Sequence, residues 1–288
     1  MKKTLYTLGS IVLAFMMLSC EDIYEGGNMD REPMTVQMKA SILPFDSAFP
    51  EKWKGGEEVG MFMYSSSDAE GMSSAACLRL TADAEGVLSP TGQDVMPQYP
   101  SDASKVNFVC FYPYSASAAE SKTLALDVSS DEKAVLSDYL YSDNARNKYP
   151  SLSPVKLQMK HVLSLVRFEI SAAEEVPADA LEGLNPQLEG VPVQGVFSLS
   201  GGCMASSGEP SSIAMKTDGQ MSHAESLLMP VASSVTVRCD IDGLPFRKKL
   251  GSLNFESGKL YIFDLHVTRP GFDISLREIE DWKVERFD

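Results

Sequence analysis

The sequence predicts an all-β protein built from two tandem antiparallel β-sandwich domains, and three observations predict it. Short segments with period-two hydrophobicity recur along most of the chain, separated by clusters of Ser, Gly, Asp and Pro, which is the pattern of sandwiches and not of βαβ units. The one stretch with helical potential, Glu174–Glu189, is interrupted by Pro177 and Pro186, and proline removes a helix hydrogen bond and crowds the preceding turn. The third observation is a change of hydrophobic phase. Val155, Leu157 and Met159 alternate with polar neighbours, but beyond His161 the apolar set is Val166, Phe168 and Ile170. Successive strand side chains point to opposite faces, so a slip of parity turns the buried set over. A chain that buries one face before Lys160 and the other after it leaves one packed layer and enters another. The expected division is a signal segment 1–19, a tether 20–33, an N-terminal domain 34–160 and a C-terminal domain 161–288.

The first segment explains the compartment. Lys2 and Lys3 precede an apolar run from Ile11 to Leu18, then Ser19 and Cys20. That run is too short to span a bilayer core of about 30 Å as a stable helix and reads as a secretory signal. Met17-Leu18-Ser19-Cys20 resembles a bacterial lipobox, which is cut before the cysteine so that its thiol carries lipid. The other reading is a plain signal peptide with an incidental Cys20. Lipid on Cys20 would make the outer membrane the first partner, with the protein anchored there and exposed at the cell surface. The segment Glu21–Pro33 is polar and glycine-bearing, as a tether should be, and its acidic start resembles the export signals of surface-exposed lipoproteins.

The strands follow in order. Val36, Met38, Ala40 and Ile42 form the first, and after a loop carrying Trp53 and Gly55-Gly56 the run Val59–Tyr64 is apolar on both faces, hence central. Leu78 and Leu80 begin another. Val106–Tyr114 is the strongest strand signal of the first half, being β-branched and aromatic, with Pro113 ending its pairing. Leu124, Leu126 and Val128 alternate again. Past the phase change come Val193–Leu199, the short apolar segment Leu227–Pro230, and Val235–Ile241. Asp242-Gly243 joins this last strand to Leu244–Leu250 as a two-residue hairpin, because a type I′ turn needs positive φ at both central positions. Tyr261–Val267 and Phe272–Leu276 complete the strands, and Ile279 and Trp282 lie near the end.

Composition excludes several functions. A net charge of −15 and a pI near 4.7 oppose nucleic acid, whose phosphates require a basic surface. His161, His223 and His266 are scattered; His161 marks the joint and His266 alternates outward. There is no G-x-S-x-G, no H-E-x-x-H and no phosphate-binding glycine loop, so neither a catalytic residue nor a metal or cofactor is expected. Asp240-Ile241-Asp242-Gly243 lacks the downstream ligands of a calcium loop. Cys77, Cys110, Cys203 and Cys239 show no C-x-x-C spacing. Cys110 and Cys239 sit in apolar strands as small hydrophobes, while export leaves disulfides open, with 77–110 and 203–239 the pairs inside each domain. Trp53, Tyr139, Tyr141 and Tyr149 are candidate glycan or partner contacts; the alternative places the tyrosines in the domain interface beside the phase change. Asp46-Ser47-Ala48 resembles a short O-glycosylation motif.

Several stretches together resemble the fimbrillin-like family of pilins and pilin-related lipoproteins. They are Trp53 with Gly55–Phe62, Val106–Tyr114, Tyr139-Leu140-Tyr141, Val155–Ile170, Leu227–Pro230, Ser257–Tyr261 and Ile279–Trp282, in family order over nearly the whole mature chain. The resemblance implies two transthyretin-like domains and a place in fimbriae, with other fimbrial subunits as partners by strand complementation and a host or bacterial surface ligand. In such pilins an arginine-specific protease removes the N-terminal segment and opens a groove that a neighbour's strand fills, satisfying unpaired backbone groups. Here Arg31 is the only arginine between Cys20 and Ile42 and precedes the first strand, and Arg79 comes after the Val59–Tyr64 strand. Cutting at Arg31 would remove no strand. The expectation is therefore a lipid-anchored anchor, accessory or minor subunit of a fimbria, not an enzyme; the alternative is a surface glycan-binding lipoprotein outside any fimbria.

Overall fold

Hydrophobic alternation becomes strand pairing through most of the described residues. The computed structural model describes residues 33–43, 53–68, 71–129, 139–230, 232–269 and 271–281. In chain order the strands of the first half are β1 (Met38–Ile42), β2 (Glu57–Ser65), β3 (Cys77–Ala82), β4 (Leu88–Pro90), β5 (Val106–Tyr112), β6 (Thr123–Asp127), β7 (Leu140–Ser142) and β8 (Val155–His161). Those of the second are β9 (Ser164–Ala172), β10 (Gln187–Pro192), β11 (Gln194–Ser198), β12 (Cys203–Ser207), β13 (Pro210–Ala214), β14 (Lys216–Thr217), β15 (His223–Leu228), β16 (Ala232–Ile241), β17 (Leu244–Asn254), β18 (Lys259–Thr268) and β19 (Gly271–Asp281). Among the described residues two short α-helices, α1 (Ala116–Ser121) and α2 (Ala178–Glu182), and one 3-10 turn at Gly71–Ser74 interrupt them. Ser115 starts α1 by accepting the Ala118 N–H on its hydroxyl at 3.1 Å, which satisfies one of the free donors of a first turn.

Seven strands of the first half form one sheet in the order β1-β8-β7-β5-β2-β3-β4. Its ends meet: Lys39 on β1 bridges Val87 beside β4, and the Ala40 N–H donates to the Gly86 carbonyl at 2.7 Å. The curled sheet encloses a core of Met38, Ala40, Val59, Met61, Leu80, Phe108, Cys110, Leu140, Leu157 and Met159. A second core lies among the four-stranded sheet β13-β10-β16-β17, the five-stranded sheet β14-β15-β9-β18-β19 and the three-stranded sheet β12-β11-β6. Phe62, Val109 and Phe111, on the outer face of the curled sheet, pack into this second core as well.

The phase change coincides with a change of sheet. β8 buries Val155, Leu157, Met159 and His161 in strict alternation; Val162 and Leu163 then carry the chain over, and β9 enters the five-stranded sheet. The crossing is not the only link, since β6 pairs with β11 from Thr123↔Ser198 to Asp127↔Gln194. All of these elements belong to one compact unit, Glu32–Asp288.

One expectation needs correction, and two open points close. The pairing is not wholly antiparallel: β1 runs parallel to β8 and β9 parallel to β18, because alternation fixes which face is buried but not strand direction. Of the stretch with helical potential, Glu174–Glu189, only α2 is helical; beyond it Leu188 and Val191 are buried on β10, which pairs with β13 and β16. Cys77 and Cys110 cannot bridge across β2, since Cys110 lies inside the first core and Cys77 packs against the second. All four described cysteines are free thiols.

Candidate functional site

The residues of functional interest converge on β1 and on the crossing at His161. Cys20, Arg31, Ser47 and Trp282 lie outside the described residues. β1 follows closely. Val36, Met38 and Ala40 are each 1–2% exposed, while Thr35, Gln37, Lys39 and Ser41 face outward. On one side β1 pairs with β8 from Met38↔Val155 to Ile42↔Met159. On the other, Val36 donates to Pro97 at 2.9 Å, Ala40 donates to Gly86, and Tyr99 donates back to Met34 at 2.9 Å. An edge strand leaves a row of backbone groups unpaired; here both edges of β1 are engaged, so it acts as the strand that closes the sheet. Gly86 permits that closure. Its φ is +79°, and a Cβ there would collide with the Ala40 carbonyl oxygen.

The candidate aromatic contacts separate into buried and exposed. Trp53 is 5% exposed, donates its indole N–H to Ala40 at 2.8 Å and meets the Tyr112 ring edge-on at 5.7 Å. The Tyr139 hydroxyl accepts the Asp127 N–H at 3.2 Å. Tyr141 donates its hydroxyl to the Leu199 carbonyl at 2.9 Å and packs on Phe197 at 5.1 Å, and burial pushes its phenol well above the usual range. These three rings are structural members of the two cores. Tyr149 alone among the four is exposed, at 60%, with the Lys105 ammonium 4.8 Å from its ring centre.

A cleft of about 430 Å³ opens beside the crossing, lined by Tyr141, Lys160, His161, Phe197, Gly202 and Lys259 among others. His161 is 2% exposed, with Nε2 3.2 Å from the Leu43 carbonyl oxygen; it is a joint between β8 and the end of β1. Its lining brings the Lys160 and Lys259 side chains together with Asp143 and glycine backbone. Ser171 Oγ does lie 2.9 Å from His266 Nδ1, yet the neighbouring Asp273 is paired with Lys248. Ser171 and His266 both lie on an exposed sheet surface. Among the described residues no cluster of three His, Cys, Asp or Glu is placed to hold a metal ion.

The signature of the fimbrillin-like family matches residues 47–282. This chain belongs to the fimbrillin-like family. A protein named as a candidate fimbrium subunit, Fim1C of Bacteroides uniformis, is 23% identical over 248 residues, 82% of this chain and 80% of its own length. Among solved structures, a candidate cell adhesion protein from Bacteroides uniformis superposes with a TM-score of 0.71 at 19% identity, covering 87% of this chain and 99% of its own. One from Bacteroides ovatus gives 0.67 at 16% identity, covering 88% and 100%. The tip fimbrial protein Mfa3 of Porphyromonas gingivalis, solved with a C-terminal truncation, gives 0.56 at 8% identity, covering 87% and 100%. At these identities the structures establish a shared fold, and membership of a fimbrial family places this fimbrillin-like chain at the cell surface.

Two features of the fimbrillin-like chain were not anticipated from its sequence. The Gly86 clamp on β1 was missed, although Asp83-Ala84-Glu85-Gly86 carries an ordinary turn signal. The cleft had no signal at all, because its walls come from residues as distant as Leu43 and Lys259.

Proposed function

We propose that this chain is a lipid-anchored fimbrillin-like protein of the outer membrane that acts as an anchor, accessory or minor subunit of a fimbria. Its body would comprise two β-sandwich domains divided near Lys160. The observation that carries the reading is the position of Arg31 relative to β1. The only arginine before Ile42 lies upstream of a strand bonded on both edges, so processing there leaves the first core closed. A closed subunit offers a neighbour no groove, but it can still donate or receive contacts on its remaining edges. The glycan-binding alternative loses support from the burial of Trp53, Tyr139 and Tyr141, whose polar atoms bond within the protein.

The test is the N-terminus of the protein on the cell, together with its presence in sheared filaments. A start at acylated Cys20 and co-purification with filaments are the expected results. A start beyond Ile42 would mean that β1 is removed and that the protein polymerises as a stalk subunit. Absence from filaments, with polysaccharide binding, would favour the glycan-binding alternative.

A further inference from the structure

We propose that the free pole of the first core, carrying Val95, Tyr149 and Leu152, rests on the surface of the phospholipid bilayer; this deepens the lipid-anchor reading and depends on it. Among the described residues the most exposed large apolar side chains are Leu152 at 78%, Val95 at 75%, Leu244 at 62% and Tyr149 at 60%. Leu244 follows the Asp242-Gly243 turn in the second half. The other three lie at one end of the curled sheet. Leu152 is three residues before Val155, whose N–H donates to Gln37 at 2.8 Å. Val95 is two residues before Pro97, whose carbonyl accepts from Val36. Lys148, next to Tyr149, exchanges backbone hydrogen bonds with Val106 at 2.9 and 3.0 Å. All three therefore lie at the end of the curled sheet where the chain enters β1, and the crossing to the second half leaves from the opposite end, after His161.

That entry point decides the occupant. Residues 21–32 reach at most roughly 40 Å even when fully extended, so a lipid on Cys20 confines Met34 and its surroundings to the neighbourhood of the membrane. Apolar groups held there gain by leaving water. The chemistry of the pole suits the headgroup zone. Tyr149 presents a ring with a polar tip, as tyrosine does in membrane-interface belts, and the exposed Lys105 and Lys148 can extend to phosphates. In a chain of net charge −15 a local pair of lysines is a departure. The nearby Asp94 and Asp102 accept the N–H groups of Arg79 at 3.2 Å and of Ser104 at 2.9 Å.

The experiment uses the full lipidated chain reconstituted in vesicles of phosphatidylethanolamine and phosphatidylglycerol with brominated acyl chains. Leu152→Trp and Leu244→Trp are compared after subtracting the signal of the unsubstituted protein. Both sites are exposed, so neither change disturbs a core. We expect bromolipid to quench the Leu152→Trp signal at least about twofold more than that of Leu244→Trp, as a side chain at the acyl boundary requires. Equal, weak quenching while the protein floats with vesicles would overturn the bilayer contact and leave the anchor intact. Flotation failing alike for the full chain and for Cys20→Ala would overturn the anchor, and the contact with it.

Discussion

The indole N–H of Trp53 donates to the carbonyl oxygen of Ala40 at 2.8 Å, which ties the approach to β2 onto the strand that closes the sheet. Both partners are buried. The bond therefore forms away from water, where losing a partner costs more than the bond itself contributes. Replacing Trp53 by Phe keeps most of the ring but leaves the Ala40 oxygen short of a donor, and should cost about 1–2 kcal/mol. Trp53→Ala also empties a large core site and should cost about 3–5 kcal/mol. Urea unfolding of the two variants separates the hydrogen bond from the packing. Full stability of Trp53→Phe would mean that the bond contributes nothing.

Gly86→Ala tests the other side of the same strand. The new methyl group meets the Ala40 carbonyl, and the φ of +79° is costly for any residue with a Cβ. Backbone atoms cannot step aside as a flexible side chain can. The expected loss exceeds about 2 kcal/mol, in the range of strained backbone sites. Faster amide exchange should appear at Ala40, whose N–H is bonded to Gly86. Unchanged protection there would show that the Ala40–Gly86 bond survives the added methyl group and that the contact is not strained.

What could be read from the sequence was local. The run Val59–Tyr64 lies within β2, Val106–Tyr112 is β5 as its aromatic, β-branched composition requires, and Asp242 and Gly243 adopt φ of +51° and +74° at the tip of the β16–β17 hairpin. The parity change at His161 marked a change of sheet because burial on alternate faces is recorded residue by residue. Pairing between distant strands is not recorded in that way. Nothing in Val36–Ile42 names β8 as its parallel neighbour more than a hundred residues later, and nothing in Leu124–Val128 points to β11. The candidates divided, with Trp53, Tyr139 and Tyr141 buried and Tyr149 exposed, for a related reason: a tyrosine or tryptophan looks the same in sequence whether its polar atom meets water or a carbonyl, as Tyr141 meets Leu199.

The buried thiols predict a specific alkaline response. Burial pushes Cys110 and Cys239 up to about 12 and Cys77 up to about 11, from 9.0. Below pH 9 the thiols are neutral in both states and their contribution is fully present. As pH rises from about 9 towards 12 the unfolded chain ionises first, so stability is progressively lost. Cys239→Ala should flatten that slope in pH-dependent unfolding, whatever it does to stability at neutral pH. Under native conditions the exposed Cys203 should react with a thiol reagent well before Cys110 and Cys239. Rapid labelling of Cys110 would contradict its place in the core.

For the proposed role the relationship that matters is between Arg31 and β1, and it can be tested on the purified chain. A protein beginning at Glu32 retains every hydrogen bond of β1 and should unfold at the same denaturant concentration as one beginning at Cys20. A protein beginning at Leu43 lacks Val36, Met38 and Ala40, and leaves the β8 backbone and the β4 side of the sheet without partners. Each buried backbone group that loses its partner costs about 1–3 kcal/mol, so the truncated protein should open locally, bind a hydrophobic dye and lose protection along β8. A synthetic peptide spanning Pro33–Leu43, added in excess, should bind this form and restore protection, because it supplies the same three apolar side chains in the same register. If the shortened protein remains closed without the peptide, β1 is dispensable, and an intact first strand does not distinguish this protein from a groove-bearing subunit.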